Sequence, residues 1–93
     1  VVAQLVDVVG AKDDTMIVFT SDHGEEFRDH GKLGHRRSLF QDQLHVPWVM
    51  SWPGVIKPGR IATTVSTVDL LPTVVELATG QAVDVAVVSG RSH

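Results

Sequence analysis

The sequence contains no cysteine. That absence excludes a disulfide framework, a cysteine zinc site and a cysteine nucleophile within these 93 residues, and it leaves the compartment open. No apolar run approaches the ~20 residues that a transmembrane helix requires, and no signal peptide is visible. The 8 basic residues form no cluster and the formal net charge is −3, so electrostatics gives no case for nucleic acid or an anionic membrane as partner. Internal repeats, low-complexity tracts and linkers are also missing. What remains is 43% hydrophobic and 20% charged, the balance of a folded chain and not of a disordered one. Residue 1 is Val1, and residues 1–9 read as mid-domain sequence, so the chain is expected to be a piece of something larger. A domain of this size buries only somewhat more than ~60% of its unfolded surface and is marginal by itself.

Periodicity divides the chain coarsely. Val1, Val2, Leu5, Val8 and Val9 recur at helical spacing, with Gly10 as a stop. Residues 15–20 (TMIVFT) form a short apolar, β-branched run, as expected of a strand covered on both faces in a parallel sheet. Residues 38–44 suit a short helix. Residues 46–52 read as a second strand, with Pro47 at its start or at a sheet edge. Residues 61–65 are a candidate short strand. Ser66 or Thr67 would then cap a helix to about Ala78, with Pro72 in its early turns, Gly80 closing it, and Val68, Leu71, Val75 and Ala78 as its buried stripe. Helix, strand, strand, helix predicts an α/β fold, with residues 1–93 as part of one sheet-and-helix domain.

Chemistry concentrates between the two predicted strands. Residues 21–37 carry Asp22, His23, Glu25, Glu26, Asp29, His30 and His35, with Gly24, Gly31 and Gly34 among them. A polar segment of that length is usually functional or disordered. Asp22 and His23 leave the carboxyl end of the first strand, where open α/β sheets bind their ligands. Within a strand the two side chains would point to opposite faces, but in an irregular turn loosened by Gly24 both can converge. A carboxylate oxygen and an imidazole nitrogen make a partial ligand set for a divalent metal, which needs further carboxylates from elsewhere. The plainer alternative is that Asp22 caps a turn and His23 lies on the surface.

His30 and His35 add two imidazoles that can hold an anionic ester and stabilise charge as it develops. Both also suit ordinary loop positions, as do Arg36 and Arg37. Glu25 and Glu26 are read as solvent-facing or as partners orienting His23, and His45 as a surface residue. Trp48 and Trp52 share one face of the second strand, chiefly as packing.

Taken in order, residues 15–25 (TMIVFTSDHGE), Gly34-His35, residues 46–54 (VPWVMSWPG), residues 65–78 (VSTVDLLPTVVELA) and Gly90-Arg91-Ser92 resemble the sulfatase family of the alkaline-phosphatase superfamily. The resemblance covers nearly the whole chain and implies a fragment of an alkaline-phosphatase-like sheet with helices packed on its faces. It also implies hydrolysis of a sulfate ester on a small molecule or glycan. The cofactor it implies is a divalent cation, calcium or magnesium, with manganese or zinc in some relatives. Asp22 and His23 match the family's late metal-ligand pair. His35, twelve residues after His23, matches the residue that contacts the ester's oxygens, and His30 is a second candidate for that role. The family's formylglycine nucleophile, made from Cys or Ser in a Cys/Ser-x-Pro-x-Arg motif, has no counterpart here, and neither has the early acidic pair. Both are expected upstream, so the chain is read as the later part of a catalytic domain, inactive alone. A phosphodiesterase or phosphonate monoester hydrolase of the same superfamily, and a non-catalytic fragment, are the alternatives.

Overall fold

The computed structural model describes residues 2–9, 14–28, 30–31, 33–34, 39–84 and 88–93. They fall into two compact units, residues 1–59 and residues 60–93.

In the first unit, helix α1 (Val2–Val9) forms where the valine spacing predicts it; its Gly10 stop lies outside the described residues. Strand β1 (Ile17–Thr20) pairs with β4 (Trp48–Ser51), with Ile17 opposite Ser51 and Thr20 opposite Trp48. Pro47 immediately precedes β4, where a residue without an N–H costs the ladder nothing. The pairing is antiparallel, which corrects the parallel arrangement expected from the apolar run. An apolar run reports burial, whereas strand direction depends on how the intervening chain returns. Between β1 and β4 the described residues include a short hairpin, β2 (Glu26–Phe27) against β3 (Leu33–Gly34), and one turn of helix, α2 (Gln41–Leu44). Nor is β1 covered on both faces: its residues are intermediate or exposed.

In the second unit a 3-10 turn (Thr67–Asp69) leads into α3 (Leu70–Thr79). Ser66 is extended and caps the start; Gly80 at φ 70° closes the helix in the left-handed conformation that glycine adopts without a Cβ clash. Residues 61–65 are irregular, so the short strand expected there does not form. The predicted stripe is also displaced. Val68 and Leu71 are exposed, and Pro72 and Thr73 are the buried residues of α3. Thr73 keeps its hydroxyl satisfied by donating to the Asp69 carbonyl at 2.7 Å.

Apart from Pro72, no aliphatic or aromatic side chain is buried among the described residues; the buried polar side chains are Glu26, Gln43, Asp69 and Thr73. The strands and helices form a mixed α/β arrangement whose apolar faces are open. None of the described helices is long and apolar enough to cross a membrane.

Candidate metal centre

Asp22 and His23 follow directly on β1, in the turn that residues 21–24 make at its end. Ser21 helps fix that turn by donating its hydroxyl to the His23 carbonyl at 2.7 Å. Asp22 Oδ1 accepts the His23 backbone N–H at 3.0 Å, so the turn-capping role weighed for Asp22 is realised. Its other oxygen, Oδ2, lies 3.6 Å from His23 Nε2. The two side chains therefore converge and do not splay apart. The His23 N–H and the imidazole beside it hold the Asp22 carboxyl below the usual carboxylate range. Asp22 is 85% exposed and His23 45%, so the pair is open to a ligand.

The tautomer of His23 follows from its neighbour. Nδ1 lies 2.7 Å from the Gly24 carbonyl, which only accepts, so Nδ1 carries the proton. In the neutral ring Nε2 then presents a lone pair towards Asp22 Oδ2. Two converging lone pairs suit a cation, and a carbonyl holding the far ring nitrogen is the usual support of a metal-binding histidine. The donor set fits a divalent metal with ligands added from elsewhere.

Gly24 fixes where this turn stands. Its N–H donates to the Gln43 carbonyl at 2.8 Å, and a Cβ built on it would collide with the Asp42 carbonyl. Only glycine lets the two backbones touch.

Beside the turn, the β2–β3 hairpin and α2 assemble a second group. Glu26 is 1% exposed, so of the two positions weighed for it the solvent-facing one is not adopted. The period of the loop gave no sign of this, because residues 24–26 are turned inward by contact with α2. Gln43 donates to Glu26 Oε2 at 3.1 Å. Arg28 at φ 75° and Gly31 at φ 75°, joined by the Gly31 N–H to Arg28 carbonyl bond of 3.0 Å, bend the hairpin tip back. This brings His30 Nδ1 to 3.9 Å from Glu26 Oε1 and 3.6 Å from Asp42 Oδ2. The His30 ring stacks on Phe40, centroids 3.7 Å apart and planes 15° apart. Glu26, His30 and Asp42 each offer a ligand atom within 4.8 Å of the others.

Of the predicted site residues, Asp22 and His23 come together, and His30 joins a different pair of carboxylates. His35, Arg36 and Arg37 lie outside the described residues. His45 is exposed, as expected. Asp42 was missed, since nothing local in the sequence connects it to a histidine twelve positions earlier. Asp69 was missed too, although Ser66 and Asp69 have the spacing of a capping pair. Asp69 Oδ2 accepts the Ser66 N–H at 3.0 Å and lies 3.0 Å from His93 Nε2, while Oδ1 accepts the Arg91 N–H at 2.9 Å. The Arg91 and Ser66 N–H groups, with His93, hold its carboxyl down at about 2. A Cβ on Gly90 would strike the Val68 carbonyl, so the tail seats on the 3-10 turn only with glycine there.

Comparison with known proteins places these features in a family. A family model described as Sulfatase matches residues 1–80. Arylsulfatase K of Gallus gallus is 35% identical over 82 residues, covering 82% of this chain and 15% of that protein. Arylsulfatase K of Danio rerio is 38% identical over 78 residues, covering 84% and 14%. Arylsulfatase D of Homo sapiens is 36% identical over 96 residues, covering 89% and 16%. The chain thus spans only 14–16% of the length of these relatives. No solved structure matches it.

Proposed function

The chain belongs to the sulfatase family, and from that premise we propose that it supplies the later part of the catalytic domain of a metal-dependent sulfuric ester hydrolase. The observation that carries the reading is the convergence of Asp22 Oδ2 and His23 Nε2 at 3.6 Å, at the end of β1. On this reading Asp22 and His23 hold a divalent cation together with carboxylates from other parts of the protein. When bound, the cation supplies Lewis-acid polarisation of the ester.

The residues of this chain then divide the work. Asp22 brings the negative charge, and its tie to the His23 N–H favours the ionised carboxylate. His23 brings an imidazole nitrogen, with its other ring nitrogen held by the Gly24 carbonyl. Gly24 anchors both against α2. His35 contacts the ester's oxygens and stabilises the charge that gathers there. His30 is the second residue proposed for that contact. Its Nδ1 is turned to carboxylates and its side chain is 44% exposed, so the Nε2 edge is the one offered to an ester. The formylglycine nucleophile and the remaining metal ligands are supplied by sequence outside residues 1–93. The alkaline-phosphatase-like sheet of the family would extend β1 and β4 and cover their open faces.

Parallel hydrolysis assays of the complete protein with an aryl sulfate and an aryl phosphate test the assignment. The sulfate is expected to be the better substrate by kcat/KM. A preference for phosphate by several orders of magnitude would transfer the chain to the phosphate-ester hydrolases of the superfamily.

A further inference from the structure

We infer that Glu26, His30 and Asp42 form a second divalent-cation site, separate from the Asp22–His23 pair and selective for a transition metal of the manganese or zinc kind. The inference does not depend on the substrate proposed above.

The spacing argues for an ion. A metal bound to nitrogen and oxygen donors at about 2.0–2.2 Å places neighbouring donor atoms about 3–4 Å from one another. The observed separations from His30 Nδ1 are 3.6 Å to Asp42 Oδ2 and 3.9 Å to Glu26 Oε1. Both exceed the 2.7–3.2 Å range of a good hydrogen bond. The group is therefore too open for direct hydrogen bonding through His30 and suitably open for a shared cation.

Burial supplies the second argument. Both Asp42 carboxylate oxygens are inaccessible to solvent and accept no hydrogen bond among the described residues. Their residue is only 21% exposed, and the Glu26 carboxylate beside them 1%. Two carboxylates brought together away from water strongly disfavour a shared negative charge unless a positive centre sits between them. Among the described residues His30 is the nitrogen ligand that faces both carboxylates. As a ligand through Nδ1 it adds a nitrogen donor, which favours transition metals over calcium with its all-oxygen preference.

The surroundings orient the donors. Gln43 holds Glu26 Oε2, which leaves Oε1 facing His30. Stacking on Phe40 fixes the plane of the imidazole. The Gly24 N–H grips the Gln43 carbonyl, so the Asp42–Gln43 backbone is held from the other side. Outer contacts of this kind set ligand geometry and typically account for 10–100-fold in metal affinity.

The test is metal counting on the complete protein, stripped with chelator and reloaded with Mn2+ or Zn2+. Bound metal is read by elemental analysis, and for Mn2+ also by electron paramagnetic resonance. His30→Gln and Asp42→Asn are each expected to bind one equivalent fewer than the parent. Asp22→Asn is expected to lose a different equivalent, so Asp22→Asn/His30→Gln loses two. His30 is half-exposed, and its variant decides the matter if Asp42→Asn fails to fold. Unchanged stoichiometry in folded His30→Gln would overturn the site. Loss on His30→Gln with no loss on Asp22→Asn would uphold this site and count against the Asp22–His23 pair.

Discussion

Two acidic residues four positions apart, Asp22 and Glu26, do different physical jobs because their surroundings differ. Asp22 stands in solvent and is kept ionised by an N–H and an imidazole, whereas Glu26 is enclosed and held by an amide. Substitution should separate them. Asp22→Asn keeps size and turn but removes the charge, so the complete protein should melt close to the parent temperature while losing at least ~100-fold in affinity for the cation, no less than a supporting contact is worth. A thermal melt with a metal titration shows both. Gln43→Ala should act in the opposite sense on stability. It removes a buried hydrogen bond to a carboxylate and should cost about 1–3 kcal/mol, read from denaturant unfolding. A neutral effect there would mean that Glu26 is held chiefly by its other neighbours.

At the scale of elements, two glycines and one aspartate set how segments meet. Gly24→Ala forces a methyl group into the Asp42 carbonyl and should destabilise by about 2 kcal/mol or more, moving the Asp22–His23 turn off α2. Asp69 ties the tail at Arg91 to the start of α3. Its carboxyl is held at about 2 by the Arg91 and Ser66 N–H groups, below the ordinary value of about 4. A depressed carboxyl stabilises the folded form above its unfolded value. The tie is thus complete above about pH 4 and is lost as the pH falls towards 2. Hydrogen exchange should show the Arg91 amide protected at pH 5, and at least about tenfold faster in Asp69→Asn at the same pH. Equal rates would remove Asp69 from that role.

What the sequence revealed follows the same scale. The helix from Thr67 to Thr79 and the strands around residues 17–20 and 48–51 were legible, because period, cap and proline are local signals. Asp22 and His23 were legible because they are neighbours at a strand end. Glu26 with Asp42 was not, since it arises only when a hairpin folds against α2. The strand expected at residues 61–65 and the stripe through Val68 and Leu71 failed for another reason. Both depend on what lies against them, and apolar periodicity does not name the partner.

The described residues are short of core. Among the described residues Val8, Phe27, Leu33, Leu39 and Ile61 are exposed, and apart from Pro72 no aliphatic or aromatic side chain is buried. One face of the first unit is an apolar hollow of about 290 Å³ lined by Val2, Val6, Ile17, Phe19 and Val49. Surfaces of this kind are covered in stable proteins. The isolated 93-residue chain is therefore expected to melt without a cooperative transition and to bind a hydrophobic dye, and the complete protein to do neither. A sharp transition in the isolated chain would show that it forms a core by itself.

Asp22 and His23 are proposed to hold the cation that sulfate-ester hydrolysis needs. The most direct measurement is aryl-sulfate turnover by the complete protein after chelation and readdition of divalent metal, in the parent and in Asp22→Asn. Recovery of activity in the parent, with a loss in Asp22→Asn of at least ~100-fold at the same metal concentration, is the predicted result. Full turnover by folded Asp22→Asn, or turnover by the chelated parent, would contradict it.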